Sequence, residues 1–437
     1  MKTVIMAGGK GTRISELFPD IPKPLIPISN GVESKPVLEW EIESLRDQGF
    51  EDIILTVSHM ADKIMDYFQD GSRLGVHIEY FVEEKPLGNA GALFKLRNQL
   101  TDDFLVLIAD AMFDVDFNRM AEYHRSKKAL VTLFTHPNSH PYDSSLLIAD
   151  DNKAVREWLN KEDSRPEYYK NRVNAGLQVL NKKVFDLVKI EPDLIGSVDQ
   201  DGKIIKVDMD RQILKPLCNT GKIFCYDSPE YCKDMGTPER FEQVSKDFKN
   251  GVVKAKNLQK KQKTIFLDRD GTINKYVGFL RKIEDFELIP GVSEAIREIN
   301  SSGYLAIVIT NQPVIARGEV TTEELKKIHN KMETLLGKEG AYLDGIYYCP
   351  HHPDKGFDGE IPELKFDCDC RKPKPGLLLK AADEFNIDLS DSWMIGDDRR
   401  DIEAGHNASC KTALIGTESL GQDLTGNSLL EIIKQIL

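Results

Sequence analysis

Short apolar runs of strand type recur at 3–7, 53–57, 78–81 and 104–108, with stretches of helical spacing between them. That alternation predicts a mostly parallel sheet with helices on both faces, because strands running the same way need a crossover long enough to form a helix. The rhythm breaks at 246–263, a segment with seven lysines and one acidic residue, and restarts at 264–267, 305–310, 345–348, 393–396 and 412–415. The expected organisation is an α/β chain of two domains, 1–245 and 264–437, joined by a lysine-rich linker at 246–263 read as a solvated helix face. A length of 437 residues suffices for two domains with a core each, and no internal repeat marks one half as a copy of the other.

Charge narrows the partners. The chain has 58 Lys and Arg against 71 Asp and Glu, a formal net charge of -13, which argues against a nucleic acid, since binding a polyanion takes a clustered basic face. Small phosphorylated substrates held by local cations remain compatible. No apolar run approaches the ~18 residues of a membrane span, and Met1-Lys2-Thr3-Val4 enters a strand directly instead of a signal peptide, so a cytoplasmic protein without a membrane partner is expected. Self-association is left open.

The first run leads into Gly8-Gly9-Lys10-Gly11-Thr12-Arg13, a glycine-rich turn where a strand gives way to a helix. Glycines there let backbone N–H groups approach an anion closely, and Arg13 and Lys23 add charge suited to a triphosphate. The turn matches neither the dinucleotide G-x-G-x-x-G nor the P-loop pattern. The wider string Met6 to Arg13, then Pro22-Lys23-Pro24-Leu25-Ile26-Pro27-Ile28, Pro86-Leu87-Gly88-Asn89-Ala90-Gly91, Asn174-Ala175-Gly176 and Asp234-Met235-Gly236-Thr237-Pro238, resembles the sugar-1-phosphate nucleotidyltransferases. The resemblance implies a Rossmann-like, GT-A-like domain in which Gly8, Gly9, Gly11, Thr12, Gly88, Asn174, Gly176 and Lys161 contact nucleotide or sugar and Arg13 and Lys23 are catalytic. It also implies magnesium held by Asp110 and Asp234, and in-line attack of the sugar phosphate on the α-phosphate with loss of pyrophosphate.

The second half opens with a different chemistry. Thr264-Ile265-Phe266-Leu267-Asp268-Arg269-Asp270-Gly271-Thr272 is a buried-type strand ending in two carboxylates two residues apart, which on an extended segment project from the same face and need a cation nearby. With Ile309-Thr310-Asn311-Gln312, Arg371-Lys372-Pro373-Lys374-Pro375-Gly376 and Gly396-Asp397-Asp398 following in order, the segment resembles the haloacid dehalogenase phosphatases, also Rossmann-like. The resemblance implies Asp268 as nucleophile, Asp270 as general acid and base, Thr310 and Lys374 on the phosphoryl oxygens, and magnesium held by Asp268, Asp270 and Asp397. Asp398 and Asp401 read equally well as ordinary solvated acids after a strand.

Seven cysteines are present: Cys218, Cys225, Cys232 and Cys410 are scattered, but Cys349-Pro350-His351 and Cys368-Asp369-Cys370 form two close pairs of soft ligands across a loop. That spacing predicts a closed, structural zinc site of Cys349, His351, Cys368 and Cys370, with His352 as the competing imidazole. The arrangement is similar to the heptose-bisphosphate and histidinol-phosphate branch, which implies substrate recognition through Asn311, Gln312 and Arg317 and binding of substrate phosphate by Arg371 and Lys372. As a whole the chain resembles a heptose 1,7-bisphosphate 7-phosphatase joined to a heptose-1-phosphate guanylyltransferase, which makes sugar phosphates and GTP the expected substrates. A fusion acting on another sugar, or a scaffold that keeps transferase architecture without catalysis, stays open at this point.

Overall fold

The computed structural model describes residues 1–9 and 13–437. It falls into two units: 1–135, 145–160 and 174–254 form the first, and 136–144, 161–173 and 255–437 the second.

Within the first unit, strand Lys2–Met6 is flanked by Asp52–Val57 and Asp103–Ile108, both parallel to it, and His77–Val82 continues the parallel set. Val4 and Ile5 are both fully buried but belong to different apolar clusters. Successive side chains on a strand point to opposite faces, so this sheet is covered on both sides. Beyond Asp103–Ile108 the sheet changes character: Val173–Asn181 joins it antiparallel, and Leu146–Ala149 pairs antiparallel with Val155–Leu159. The expectation of a mostly parallel sheet therefore holds for its first part, whereas the nine-stranded whole is mixed. The connection at 150–154 is too short for a crossover, so that pair must be a hairpin.

A separate two-stranded ribbon pairs Ala111–Asp114 with Tyr231–Asp234, placing Asp234 opposite Ala111. Met235 N–H also donates to the Asp110 carbonyl at 3.0 Å. Backbone pairing thus joins two carboxylates far apart in sequence.

The second unit holds six strands in the order Gly345–Cys349, Tyr304–Asn311, Lys263–Leu267, Trp393–Gly396, Lys411–Ile415, Leu424–Gly426, all parallel. Leu267 is in register with Val308 on one side and Ile395 on the other. Asp268, Thr310 and Asp397 therefore leave the sheet at one carboxyl edge, where open α/β sheets bind ligands. Helix Thr322–Lys338 starts from a capping box of Thr321 and Glu324 and buries His329 against the unit.

The lysine-rich segment is exposed in part: Lys246, Lys249 and Lys254 lie exposed on helices, while other residues of it are buried. Helices Pro238–Lys249 and Val252–Ala255 cover its first part, and Lys256, Asn257 and Gln262 after them are buried. Gln262 is fixed by backbone bonds with Asn386 and Asp388 and by its own amide donating to the Asn257 and Lys260 carbonyls. No described helix is long and apolar enough to cross a membrane.

Candidate active sites

In the first unit the cations and carboxylates singled out from sequence converge. Lys23 Nζ lies 2.8 Å from Asp110 Oδ2, and Arg240 Nη1 lies 2.6 Å from Asp234 Oδ2. A Cβ on Gly236 would sit 3.0 Å from Asp234 Oδ1, 3.3 Å from Arg13 Nη2 and 3.6 Å from Lys23 Nζ, so these three groups surround a spot only a glycine leaves open. Burial pulls the Asp234 carboxyl upward, but the Arg240 bond and the Gly236 N–H hold it below the usual carboxylate range. Sequence reasoning missed Arg240, and it missed Glu41. The latter is buried with neither carboxyl oxygen partnered, and burial, then the charge of Asp110, pushes it well above its ordinary value.

Gly8 and Gly9 follow strand Lys2–Met6 as expected, and a side chain at Gly9 would meet nothing within 4 Å. Gly11 and Thr12 lie outside the described residues. Gly88 has φ of +85° and a Cβ there would lie 2.3 Å from the Val207 carbonyl oxygen, so close backbone approach alone accounts for the glycine. Asn174 Oδ1 accepts from Gly176 N–H at 3.3 Å at the start of strand Val173–Asn181, and Gly176 packs on Ile108, two residues before Asp110. Lys161 belongs to the second unit and pairs with Asp143 at 2.6 Å.

In the second unit, the amine beside the expected nucleophile is not the one read from sequence. Lys374 Nζ pairs with Asp367 at 2.7 Å with its side chain 39% exposed. The ammonium at Asp268 belongs to Lys372, 3% exposed: it reaches Asp268 Oδ1 at 2.8 Å, Asp401 Oδ1 at 2.6 Å and the Ile309 carbonyl at 2.8 Å, which uses its three donors. The cause lies across the fold. Asn311 donates its amide to the Lys372 carbonyl and accepts from the Lys372 N–H, both at 3.0 Å, which turns that residue inward, while Lys374 sits past the turn closed by its N–H to the Arg371 carbonyl.

Burial pushes the Asp268 carboxyl up to about 6 against the opposing pull of Lys372, and burial with the charge of Asp268 brings Asp397 up to about 6 as well. Asp268, Asp397 and Asp401 bring one oxygen each to within 4.8 Å of one another, a donor set suited to a hard divalent cation. Gly271 has φ of +88° and an added Cβ would fall 2.1 Å from Asp397 Oδ2, so a side chain there would displace that carboxylate. Asp401 is the counter-charge that the sequence left ambiguous; it sits at the third position of the helix Arg399–Asn407 in a capping box with Asp398, a readable signal.

Other recognition residues have partners inside the protein. Gln312, 2% exposed, bonds to Asp270 and Thr310 and so faces inward, and half-buried Asn311 bonds to the Lys372 backbone. Arg317 stacks between the Phe279 and Phe357 rings, 4.1 and 4.4 Å from their centroids, with Nη2 3.2 Å from His352 Nε2. Arg371 Nη1 donates to the His351 carbonyl at 3.3 Å.

The four soft ligands form one cluster. Cys349, Cys368 and Cys370 place their sulfurs 3.3–3.5 Å apart, and His351 Nδ1 is 3.2 Å from Cys370 Sγ. A tetrahedral ion with ~2.3 Å metal–sulfur bonds separates its thiolates by about 3.8 Å, so the donors are close to the spacing such an ion requires. Burial lowers His351, keeping the imidazole neutral as a ligand must be. His352 points instead to Arg317.

Comparison with known proteins matches residues 2–251 to the nucleotidyl transferase family and residues 369–428 to a HAD-hydrolase-like family. The D-glycero-beta-D-manno-heptose-1,7-bisphosphate 7-phosphatase of Yersinia pestis is 44% identical over 151 residues, 35% of this chain and 78% of that protein. The corresponding phosphatase of Haemophilus influenzae is 44% identical over 166 residues, 38% of this chain and 85% of that protein. Among solved structures, HddC from Yersinia pseudotuberculosis is 25% identical and covers 56% of this chain and 99% of its own, with a TM-score of 0.44.

Proposed function

The chain belongs to the nucleotidyl transferase family and to the D-glycero-beta-D-manno-heptose-1,7-bisphosphate 7-phosphatase family, and from that double membership we propose that it carries out two consecutive steps on one sugar. Residues 264–437 remove the 7-phosphate of heptose 1,7-bisphosphate, and residues 1–245 join the resulting heptose 1-phosphate to GMP from GTP with release of pyrophosphate. The observation that carries the phosphatase half is the Asp268–Lys372 contact of 2.8 Å at the carboxyl edge of the sheet.

Asp268 attacks phosphorus, the bond to the leaving oxygen breaks, and Asp270 delivers a proton to that oxygen; the same carboxylate then takes a proton from the water that frees Asp268. Thr310 and Lys372, in place of Lys374, neutralise charge on the phosphoryl oxygens. Asp268 and Asp397, with the Asp270 carbonyl as the family resemblance implies, would hold magnesium, which supplies charge compensation for the phosphoryl group. Arg317 and Arg371 would recognise the sugar and bind its second phosphate. Cys349, His351, Cys368 and Cys370 would hold zinc with no position left for water, which fixes the loop carrying Arg371 and Lys372.

In the transferase half Arg13, Lys23 and the backbone of Gly8 and Gly9 receive the triphosphate, while Asp110 and Asp234 would hold magnesium. Both carboxylates are paired with a basic side chain in the structure, so a cation suits their position. The reaction order follows from charge: a transferase pocket shaped for a hydroxyl would have to accept an uncompensated dianion if the bisphosphate entered first.

The test supplies heptose 1,7-bisphosphate with GTP, ATP, CTP or UTP separately and identifies the products. Wild-type protein is expected to form GDP-heptose with GTP. Asp268→Asn protein is expected to form almost none from the bisphosphate and to recover synthesis when given heptose 1-phosphate. Rapid formation of a phosphorylated nucleotide sugar by that variant would overturn the order, and preference for another sugar bisphosphate would overturn the heptose assignment.

A further inference from the structure

Arg269 stands between the two carboxylates of the phosphatase signature, and motif reading assigns it nothing. Its side chain is fully buried, an unusual state for a guanidinium unless it is paired. Here the pairing is with Asp270: Arg269 Nη2 donates to Asp270 Oδ1 at 2.9 Å and Oδ2 at 2.8 Å, and Nε reaches Oδ1 at 3.2 Å.

Two further groups complete the grip. Gln312 Nε2 donates to Asp270 Oδ2 at 3.0 Å while its Oε1 accepts from Arg269 Nη2 at 3.0 Å, and Asn274 Nδ2 donates to Asp270 Oδ1 at 3.0 Å. On the far side, Arg269 Nη1 lies 3.3 Å from His329 Nε2 on the buried face of helix Thr322–Lys338. Arginine can only donate, so His329 accepts through Nε2 and carries its proton on Nδ1. Burial and the charge of Arg269 keep that ring neutral. The remaining Gln312 donor goes to Thr310 Oγ1 at 2.9 Å, which leaves the Thr310 hydroxyl proton free to point at a phosphoryl oxygen.

We propose that Arg269 and Gln312, with His329 as the anchor of Arg269, are positioning residues that fix the direction of the Asp270 carboxylate and of the Thr310 hydroxyl. The inference rests on Asp270 being the general acid and base. An aspartate on a strand-end turn has two side-chain torsions free, and a carboxylate that serves first the leaving oxygen and then water from one place must be held in both. The buried guanidinium supplies a fixed bidentate reference, and the histidine keeps it from following Asp270 into the site.

The experiment uses the full-length protein, with its thermal unfolding profile and circular dichroism as the control for folding, and two substrates: heptose 1,7-bisphosphate and 4-nitrophenyl phosphate. The sugar leaving group needs a proton from Asp270, whereas 4-nitrophenolate leaves without one; the second step, attack of water on phosphorylated Asp268, needs Asp270 for both. Arg269→Lys is therefore expected to lower kcat for the bisphosphate by roughly 100-fold with KM nearly unchanged. With the aryl substrate the same variant is expected to give a rapid first release of about one nitrophenolate per site, then turnover slowed to a similar degree. His329→Leu should show the same pattern at smaller amplitude and His329→Gln, which keeps an acceptor, should restore it. Gln312→Ala should slow the first release as well, because Thr310 loses its orientation.

If the first release in Arg269→Lys or His329→Leu falls in proportion to turnover, or if turnover does not change, the positioning role is overturned. Inactivity of wild-type protein on both substrates would instead sink the phosphatase reading itself. Should Arg269→Lys fail to fold, the His329 pair decides alone.

Discussion

The two sites solve one problem, several carboxylates crowded at a strand edge, in different ways. In the second unit the compensating charge is internal: Lys372 is buried between Asp268 and Asp401 and saturated by the Ile309 carbonyl. In the first, Asp110 and Asp234 keep side-chain exposures of 47% and 38%, and their partners Lys23 and Arg240 come from separate segments. A buried ammonium costs several kcal/mol of desolvation unless both partners stay in place, so the phosphatase geometry is preformed and intolerant of change. With their carboxylates partly open to solvent, the pairs of the transferase site cost less to separate than the fully enclosed Lys372.

The sharpest way to break this comparison is to remove one centre and watch the other. Asp268→Asn is expected to cut phosphate release by ~1000-fold or more with nucleotidyl transfer nearly intact, and Asp110→Ala to do the reverse. Assays of both reactions on each folded variant check it; loss of both activities from either substitution would merge what is here held apart.

Next in size is the choice between two lysines. Lys372→Met should destabilise the second unit by about 3–5 kcal/mol, because it strands two buried carboxylates, and should abolish phosphatase turnover. Lys374→Met should leave activity within about twofold of wild type, since its ammonium meets two exposed carboxylates, Asp367 and Asp369. Denaturant unfolding with steady-state kinetics on the pair decides it. If Lys374→Met is the inactive one, the inward orientation of Lys372 is misread.

A smaller effect is expected at the sulfur cluster. Cys370→Ser should reduce bound zinc from about one equivalent to near zero and loosen the loop carrying Lys372, visible as faster amide exchange over 366–376 and partial loss of phosphatase activity. Protein purified without chelator that contains no zinc would dispose of the site. The smallest effect concerns Arg240. Asp234 is held below the ordinary carboxylate range in spite of its burial, so Arg240→Gln should let that carboxyl titrate at higher pH in metal-free protein. The carboxyl-carbon NMR shift of Asp234 followed against pH reads this directly, and an unchanged midpoint would show that the Gly236 N–H alone suffices.

Much of this was legible in the linear chain because the signals are local. A strand that ends in Asp268 and Asp270, a glycine at 271 and cysteine pairs at 349 and 368–370 declare a turn, a carboxylate pair and a metal-ligand spacing within a few residues. The parallel order of the second sheet then carries Thr310 and Asp397 to the same edge by register alone. What the sequence could not rank was two lysines two residues apart. The sequence assigns Lys372 to substrate phosphate and Lys374 to the phosphoryl oxygens, yet the direction of Lys372 depends on Asn311, 61 residues away, while Lys374 turns to Asp367.

The sequence by itself determined the architecture of repeated strand and helix, the two enzyme families, and which cysteines and histidine come together in the second unit, since each is written in short-range pattern. Tertiary structure alone decided which ammonium meets Asp268, that Asp401 balances it, that Gln312 faces inward to Asp270 and Thr310, and that Arg240 rests on Asp234. The physical reason is common to all four. A long or flexible polar side chain has several directions open to it in the unfolded chain, and burial selects the one in which each donor meets an acceptor supplied by another element.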